Sequence, residues 1–229
     1  MISDCLDSVR DRIARACQRC GRHPSTVTLI GVTKGVAVDR IREAVALGLT
    51  DLGENRIQEG REKQQALGSV AVRWHLIGHL QRNKARHAVE LFDLIHSVDS
   101  LELIGELDRC AAQRGRKPDV LIQVNVSGED TKHGCRPQDA AALAEAVDKA
   151  THVKLVGLMT IPPFSNDPEA SRPFFRQLRE LRDRLRSTLT THHSPLKLSM
   201  GMSQDFEVAI EEGADLVRIG TAIFYEDDS

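Results

Sequence analysis

Between Thr26 and Phe224 the sequence switches eight times between a short apolar run rich in β-branched residues and a longer segment with apolar residues at helical spacing. The strand-like runs are "TVTLIGVT", "TDLGEN", "VRWHLIG", "FDLIHSV", "DVLIQVNVS", "VKLVGLMTI", "LKLSMG" and "ADLVRIG". They are apolar on both sides, as strands of a parallel sheet covered on both faces must be. The intervening helices carry their own punctuation. "DRIREAVALG" stops at Gly48, Ser100 is placed to cap "LELIGELDRCAAQRG", and Pro137 suits a first turn. Further helices are expected over 56–67, 82–90 and 168–190, and "SQDFEVAIEEG" supplies one more. Strict alternation at this length predicts an α/β fold, a closed (β/α)8 TIM-type barrel. Residues 2–20 add an extra N-terminal helix, with Ile2, Leu6, Val9, Ile13 and Ala16 on one face and Gly21 and Pro24 as its stop. No G-x-G-x-x-G follows the first strand, which weakens an open dinucleotide-binding sheet. No internal linker is visible, so residues 1–229 read as a single domain, with 162–173 as its most loop-like segment.

Composition removes several function classes. The formal net charge is −2, so no bulk electrostatic attraction to nucleic acid or anionic membrane is expected. Aromatics are scarce (one Trp, one Tyr, six Phe), which argues against a base-stacking surface. No apolar stretch approaches the roughly 20 residues that span a bilayer. The first residues lack a secretory leader's apolar core, so a cytoplasmic location is expected. Five cysteines are an odd number in a chain that is not small, which argues against a disulfide framework. Cys17, Cys20 and His23 have metal-like spacing, but a structural zinc site needs about four ligands and no second cluster follows. Cys17 and Cys20 also fit the buried face of the first helix, with Ile13 one turn before Cys17.

In such barrels functional groups gather at the C-terminal strand ends. Going round, the ends carry Lys34, Glu54–Asn55, His79, Ser97, Asn125–Ser127, Met159–Thr160, Ser199 with Ser203, and Gly220–Thr221. Each alone is readily a cap or a turn residue. Lys34 stands out because "LIGVTKG" is an apolar run that stops on an amine. A lysine there either reaches water or, desolvated, serves as a Schiff-base lysine. "SMGMSQDF" and "RIGTAIF" each open a helix after strands seven and eight, where barrels frequently bind phosphate. Ser203, Gly220 and Thr221 would donate to that group. A lysine on strand one facing a phosphate site on strands seven and eight suits pyridoxal 5′-phosphate (PLP), whose aldehyde and phosphate lie apart on the ring. Arg218 then falls beside the pyridine nitrogen, or forms a salt bridge inside the barrel.

The segments "GVTKGV", "DLGENRIQE", "WHLIGHLQRNKAR", "IHSVDS", "VNVSGEDTKHG", "GLMTI" and "LSMGMSQDFEVAIEEGADLVRIGTAIF" resemble, in order and over nearly the whole chain, the pyridoxal phosphate homeostasis proteins. These are single-domain barrels similar to the N-terminal domain of alanine racemase, fold type III of the PLP enzymes. The resemblance implies a Schiff-base lysine at Lys34, phosphate contacts at Ser203, Gly220 and Thr221, and Arg218 at the pyridine nitrogen. It implies that Asn55 and Met200 line the pocket. One departure is Cys135, where relatives often carry a larger apolar residue.

What the resemblance implies about function is a PLP carrier or regulator in vitamin B6 homeostasis, with no dedicated turnover reaction and no catalytic or metal-ligating residue. PLP-dependent apoenzymes are the conceivable recipients, and a monomer is expected from the Arg-rich 168–190 helix. Two other readings remain open at this point: a stand-alone PLP-dependent amino-acid racemase or lyase, and a cofactor-free Schiff-base aldolase acting on a phosphorylated sugar. The segment "HLQRNKAR" is either a solvated basic helix start or, through Lys84, a second ligand site.

Overall fold

The computed structural model describes residues 1–129, 131–188 and 195–225, the side chains of 187 and 188 excepted. Eight strands form a closed parallel barrel in chain order: β1 (Thr28–Val32), β2 (Asp51–Glu54), β3 (Arg73–Leu76), β4 (Leu94–Val98), β5 (Asp119–Gln123), β6 (Lys154–Met159), β7 (Lys197–Ser199) and β8 (Leu216–Ile219). The closing pair is β1 with β8, in a register that sets Ile30 opposite Arg218. Helix α1 (Ile2–Arg19) precedes the barrel. Each strand is followed by one helix: α2 (Val38–Ala46), α3 (Ile57–Leu67), α4 (Ala85–Leu91), α5 (Leu101–Arg114), α6 (Ala140–Lys149), α7 (Arg172–Thr188), α8 (Phe206–Glu211) and α9 (Thr221–Phe224).

The expected elements are all present, with shifted ends. The helix expected over 82–90 begins as a 3₁₀ turn, Arg82–Lys84, before α4. The loop expected over 162–173 ends early, because Pro168–Ser171 forms a 3₁₀ turn that leads directly into α7. Asp167 caps that turn by accepting from the Glu169 N–H at 3.0 Å. The last residues of the helix expected over 168–190 lie outside the described residues. Ser100 does cap α5, its hydroxyl accepting from Leu103 N–H at 3.4 Å.

The apolar residues divide into two shells, as a barrel requires. The larger lies between strands and helices and includes Leu52, Leu76, Ile95, Val120, Leu198, Val217 and Ile219. The smaller fills the barrel interior with Ile30, Leu94, Leu121, Met159 and Leu216. Burying a side chain of this size contributes about 1.5–3 kcal/mol. The interior layer is small because polar residues occupy the rest of the lumen, and they belong to the site described below. Helix α1 lays Ile2, Leu6, Val9, Ile13, Ala16 and Cys17 against the barrel's outer layer. Arg12 and Arg19 tie it to α8 through Glu207 and Glu211, each at 2.6 Å. Cys17 is thus a core residue, and the Cys20 thiol donates to the Ala16 carbonyl at 3.3 Å.

Candidate cofactor site

The loops at the C-terminal strand ends enclose a cavity of about 630 Å³. Asn55, Ser203, Arg218, Gly220 and Thr221 all line it, so strands β2, β7 and β8 bring these sequence-predicted residues together. Arg218 is 3% exposed and rises from the interior face of β8. It donates from Nη1 to Ser199 Oγ at 2.6 Å and from Nη2 to the Thr160 carbonyl at 2.9 Å. These are neutral acceptors, so the salt bridge considered from sequence is not what holds it. Burial pushes its guanidinium down to about 10, still charged at neutral pH, with Asp205 acting the other way. A guanidinium has five donors, so some remain for a ligand in the cavity.

The loops after β7 and β8 meet at Ser203, whose hydroxyl accepts from Ala222 N–H at 3.5 Å. Asp205 shapes the first loop, accepting from Met202 N–H at 2.7 Å and from the Ser171 hydroxyl at 2.9 Å. Gly201 has φ +93°, and a Cβ there would lie 2.6 Å from Ala209 Cβ, so the "SMGMS" turn needs glycine. At the opposite wall Gly78 admits the Asn55 backbone. A Cβ on Gly78 would lie 2.2 Å from the Asn55 carbonyl oxygen.

Two predicted residues sit elsewhere. Met200 is fully buried in the shell between strands and helices and does not line the cavity. The reason is strand periodicity: Ser199 faces the lumen toward Arg218, so its neighbour faces outward. Met202, further along the loop, lines the cavity instead. Lys34 lies two residues beyond β1, in a turn, and is exposed. It is not the desolvated strand-end lysine considered from the sequence. It lines an adjoining cavity of about 670 Å³ that shares Asn55, Gly78 and His79 with the first. Lys84 lines that second cavity too.

The Lys34 turn is firmly held. Tyr225 donates from its hydroxyl to the Lys34 carbonyl at 3.1 Å. Gly35, with φ +69°, donates its N–H to Glu59 at 2.7 Å. The Lys63 ammonium pairs with Glu54 and Glu59, each at 2.7 Å, and donates to the Thr33 carbonyl. Burial raises the Glu54 carboxyl above its ordinary value, although Lys63 and Thr33 oppose this. Glu59 is less buried, and Lys63 with the Gly35 N–H holds it below.

Two buried histidines, unlike His79, are not among the residues the sequence singles out. His75 on β3 and His96 on β4 are fully buried, 3.0 Å apart, between Asp51 and Ser199. A polar residue inside the apolar runs "RWHL" and "LIHSV" was the available signal. His79 and His133 stack at 3.8 Å on the cavity rim, and with Asp99 they are the one described group whose side-chain atoms converge as metal ligands do.

Residues 5–228 match the family model "Alanine racemase, N-terminal domain". Among curated relatives, the pyridoxal phosphate homeostasis protein of Aquifex aeolicus is 47% identical over 221 residues, 96% of each chain. That of Pseudomonas aeruginosa is 46% identical over 226 residues, 97% of this chain and 94% of the other. Among solved structures, PipY of Synechococcus elongatus PCC7942 with PLP bound superposes with TM-score 0.83 at 37% identity, covering 98% of this chain and 100% of PipY. A barrel of this order, with this arginine and these loops, matched end to end at such identity, belongs to the pyridoxal phosphate homeostasis protein family.

Proposed function

We propose that the chain binds PLP at the C-terminal mouth of the barrel and serves its homeostasis, holding the cofactor without a dedicated turnover reaction. The observation that carries this reading is the placement of one buried, cationic donor, Arg218, on the same cavity wall as Ser203, Gly220 and Thr221. The PLP-bound PipY relative supports the ligand, and the names of the curated relatives support the role. PLP, when bound, supplies an aldehyde that condenses with amines and a ring able to take up electrons.

The residues fit that group. Ser203, Gly220 and Thr221 would take the phosphate. Arg218 would donate to the ring nitrogen, and because it can only donate, it keeps that nitrogen unprotonated. Asn55 would flank the ring. Lys34 would anchor the aldehyde, reaching across the rim that the two cavities share. Among the described residues its side chain has no hydrogen bond or ion pair that would have to break first.

The same reading treats residues 1–229 as one cofactor-binding domain, cytoplasmic and monomeric, with PLP-dependent apoenzymes as recipients. All five cysteines are free, as a reducing compartment would keep them. No described helix is long and apolar enough to cross a membrane.

The test is a visible spectrum of the protein incubated with PLP, before and after borohydride, followed by peptide mass mapping. The expected result is a coloured protein and a reduced adduct on Lys34. No bound cofactor, or an adduct solely on Lys84 or Lys132, overturns the assignment.

A further inference from the structure

A chain of hydrogen bonds crosses the barrel lumen from β2 to β8. Arg218 Nη1 lies 2.6 Å from Ser199 Oγ, and Ser199 Oγ lies 2.9 Å from His96 Nδ1. His96 Nε2 lies 3.0 Å from His75 Nδ1, and His75 Nε2 lies 2.9 Å from Asp51 Oδ1. His75, His96 and Ser199 are completely buried. Asp51 opens β2 at the N-terminal end of the barrel, and Arg218 lies at the cofactor end.

The geometry assigns every proton along this chain. Arginine can only donate, so Ser199 Oγ accepts from it. The Ser199 hydroxyl proton then has one acceptor among the described residues, His96 Nδ1. A neutral His96 therefore carries its proton on Nε2 and donates to His75 Nδ1. A neutral His75 carries its proton on Nε2 and donates to Asp51. Each link points the same way, from the guanidinium to a carboxylate.

The neutral state is the one the surroundings favour. Burial pushes His96 well below its ordinary value, and His75, Arg218 and Arg73 add to this. Burial lowers His75 as well, with Arg73 in support and Asp51 and Asp93 opposing. The Asp51 carboxyl is raised by burial, but hydrogen bonds from His75 and Thr50 outweigh this and keep it ionised. Charging His75 would reverse both imidazole links and leave the Ser199 hydroxyl proton without its acceptor. Leaving a buried donor unpaired is unfavourable, which resists that reversal.

We propose that Asp51, His75, His96 and Ser199 are positioning residues for the cofactor ring: anchored by Asp51 at the far end of the barrel, they hold Arg218 as a fixed donor toward the ring nitrogen. This rests on the function proposed above. It adds that the barrel's N-terminal end sets the strength of the nitrogen contact, through neutral groups and with no proton transferred.

Two measurements test it. Heteronuclear NMR of histidine-labelled protein without cofactor reads the tautomers directly. Both His75 and His96 are expected to carry the proton on Nε2 and not to titrate between about pH 5.5 and 8.5, where an ordinary histidine does. A proton on Nδ1, or a charged ring at neutral pH, overturns the assignment whether or not PLP binds. The second compares affinity for PLP with that for its 1-deaza analogue, which has carbon in place of the ring nitrogen. Wild type is expected to prefer PLP by about tenfold or more, the worth of one charge-assisted hydrogen bond. Asp51→Leu and Ser199→Ala are expected to lose most of that preference, and Asp51→Asn, whose carbonyl can still accept from His75, to keep it. A merely structural role would weaken both ligands equally. An unchanged preference in both Asp51→Leu and Ser199→Ala would refute the proposal, whereas failure of every form to bind PLP refutes the function itself.

Discussion

The Lys63 ammonium lies 2.7 Å from Glu54 Oε1, both side chains are buried, and the same ammonium donates to the Thr33 carbonyl next to Lys34. Removing one partner of such a pair leaves an uncompensated buried charge, at a cost of about 3–5 kcal/mol. Glu54 already sits above its ordinary value through burial. A carboxyl raised in the folded state contributes stability that is present below its unfolded value and lost as pH rises through its folded value. Lys63→Met raises Glu54 further and widens that window upward. The expected result is a loss of about 3–5 kcal/mol near pH 8 and a smaller loss near pH 5, where Glu54 takes up a proton. Urea denaturation at the two pH values checks this, and an equal or larger deficit in acid contradicts it.

Ser203 sits where the loops after β7 and β8 meet, with its hydroxyl on the cavity wall. If it holds the phosphate, Ser203→Ala should weaken PLP binding by about 1.5–3 kcal/mol, the worth of a hydrogen bond to a charged group. Pyridoxal without its phosphate should bind far more weakly than PLP to the wild type and lose little more on the substitution. Fluorescence titration with both ligands measures this. Equal affinity for the two would remove the phosphate from these loops.

Gly78 permits a close backbone approach that no other residue allows, since a Cβ would lie 2.2 Å from the Asn55 carbonyl oxygen. The obstacle is main chain, so it cannot be relieved by a rotamer change. Gly78→Ala should cost about 1–3 kcal/mol, as overpacking does, and displace Asn55 from the cavity wall. A thermal melt with a PLP titration tests both effects. A variant as stable as the wild type with unchanged affinity would show that the strand-three loop moves freely.

The eight units could be read from the chain because each strand is buried on both faces and each helix on one, and local periodicity records burial. Arg218 is singled out by its place two residues before Gly220, where the sequence allows either a neighbour of the pyridine nitrogen or a salt bridge inside the barrel. Its partners were not legible. Ser199 and the Thr160 carbonyl come from β7 and β6, and only barrel closure brings them together. The His75–His96 pair likewise depends on the β3–β4 register. Met200 was carried over by resemblance, although the alternation in "LSMG" already turned it away from Ser199. Lys34 was read as the end of a strand because "LIGVT" is apolar to Thr33. The strand stops at Val32, and Thr33 turns its hydroxyl to Glu54.

The last prediction concerns chemistry on amino acids. Moving a proton at a substrate carbon needs a base at that carbon, and racemisation needs one on each face. The sole tyrosine, Tyr225, donates to the Lys34 carbonyl at 3.1 Å and does not line the cavity that holds Arg218. The buried histidines His75 and His96 face the lumen and are committed to each other, to Asp51 and to Ser199. On the proposed placement Arg218 would only donate to the ring nitrogen, which would leave that nitrogen unprotonated and the ring a weaker store for carbanion charge. His79 and His133 stand on the rim of that cavity and carry ring nitrogens able to accept a proton. The PLP-loaded protein should therefore show no racemisation, transamination or decarboxylation within the usual enzymatic range of about 1–1,000 per second across common amino acids. Chiral chromatography and product assays on the loaded protein decide it. A rate inside that range on any amino acid, abolished in Lys34→Ala and reduced in His79→Ala, would make the protein an enzyme and the rim histidines its bases.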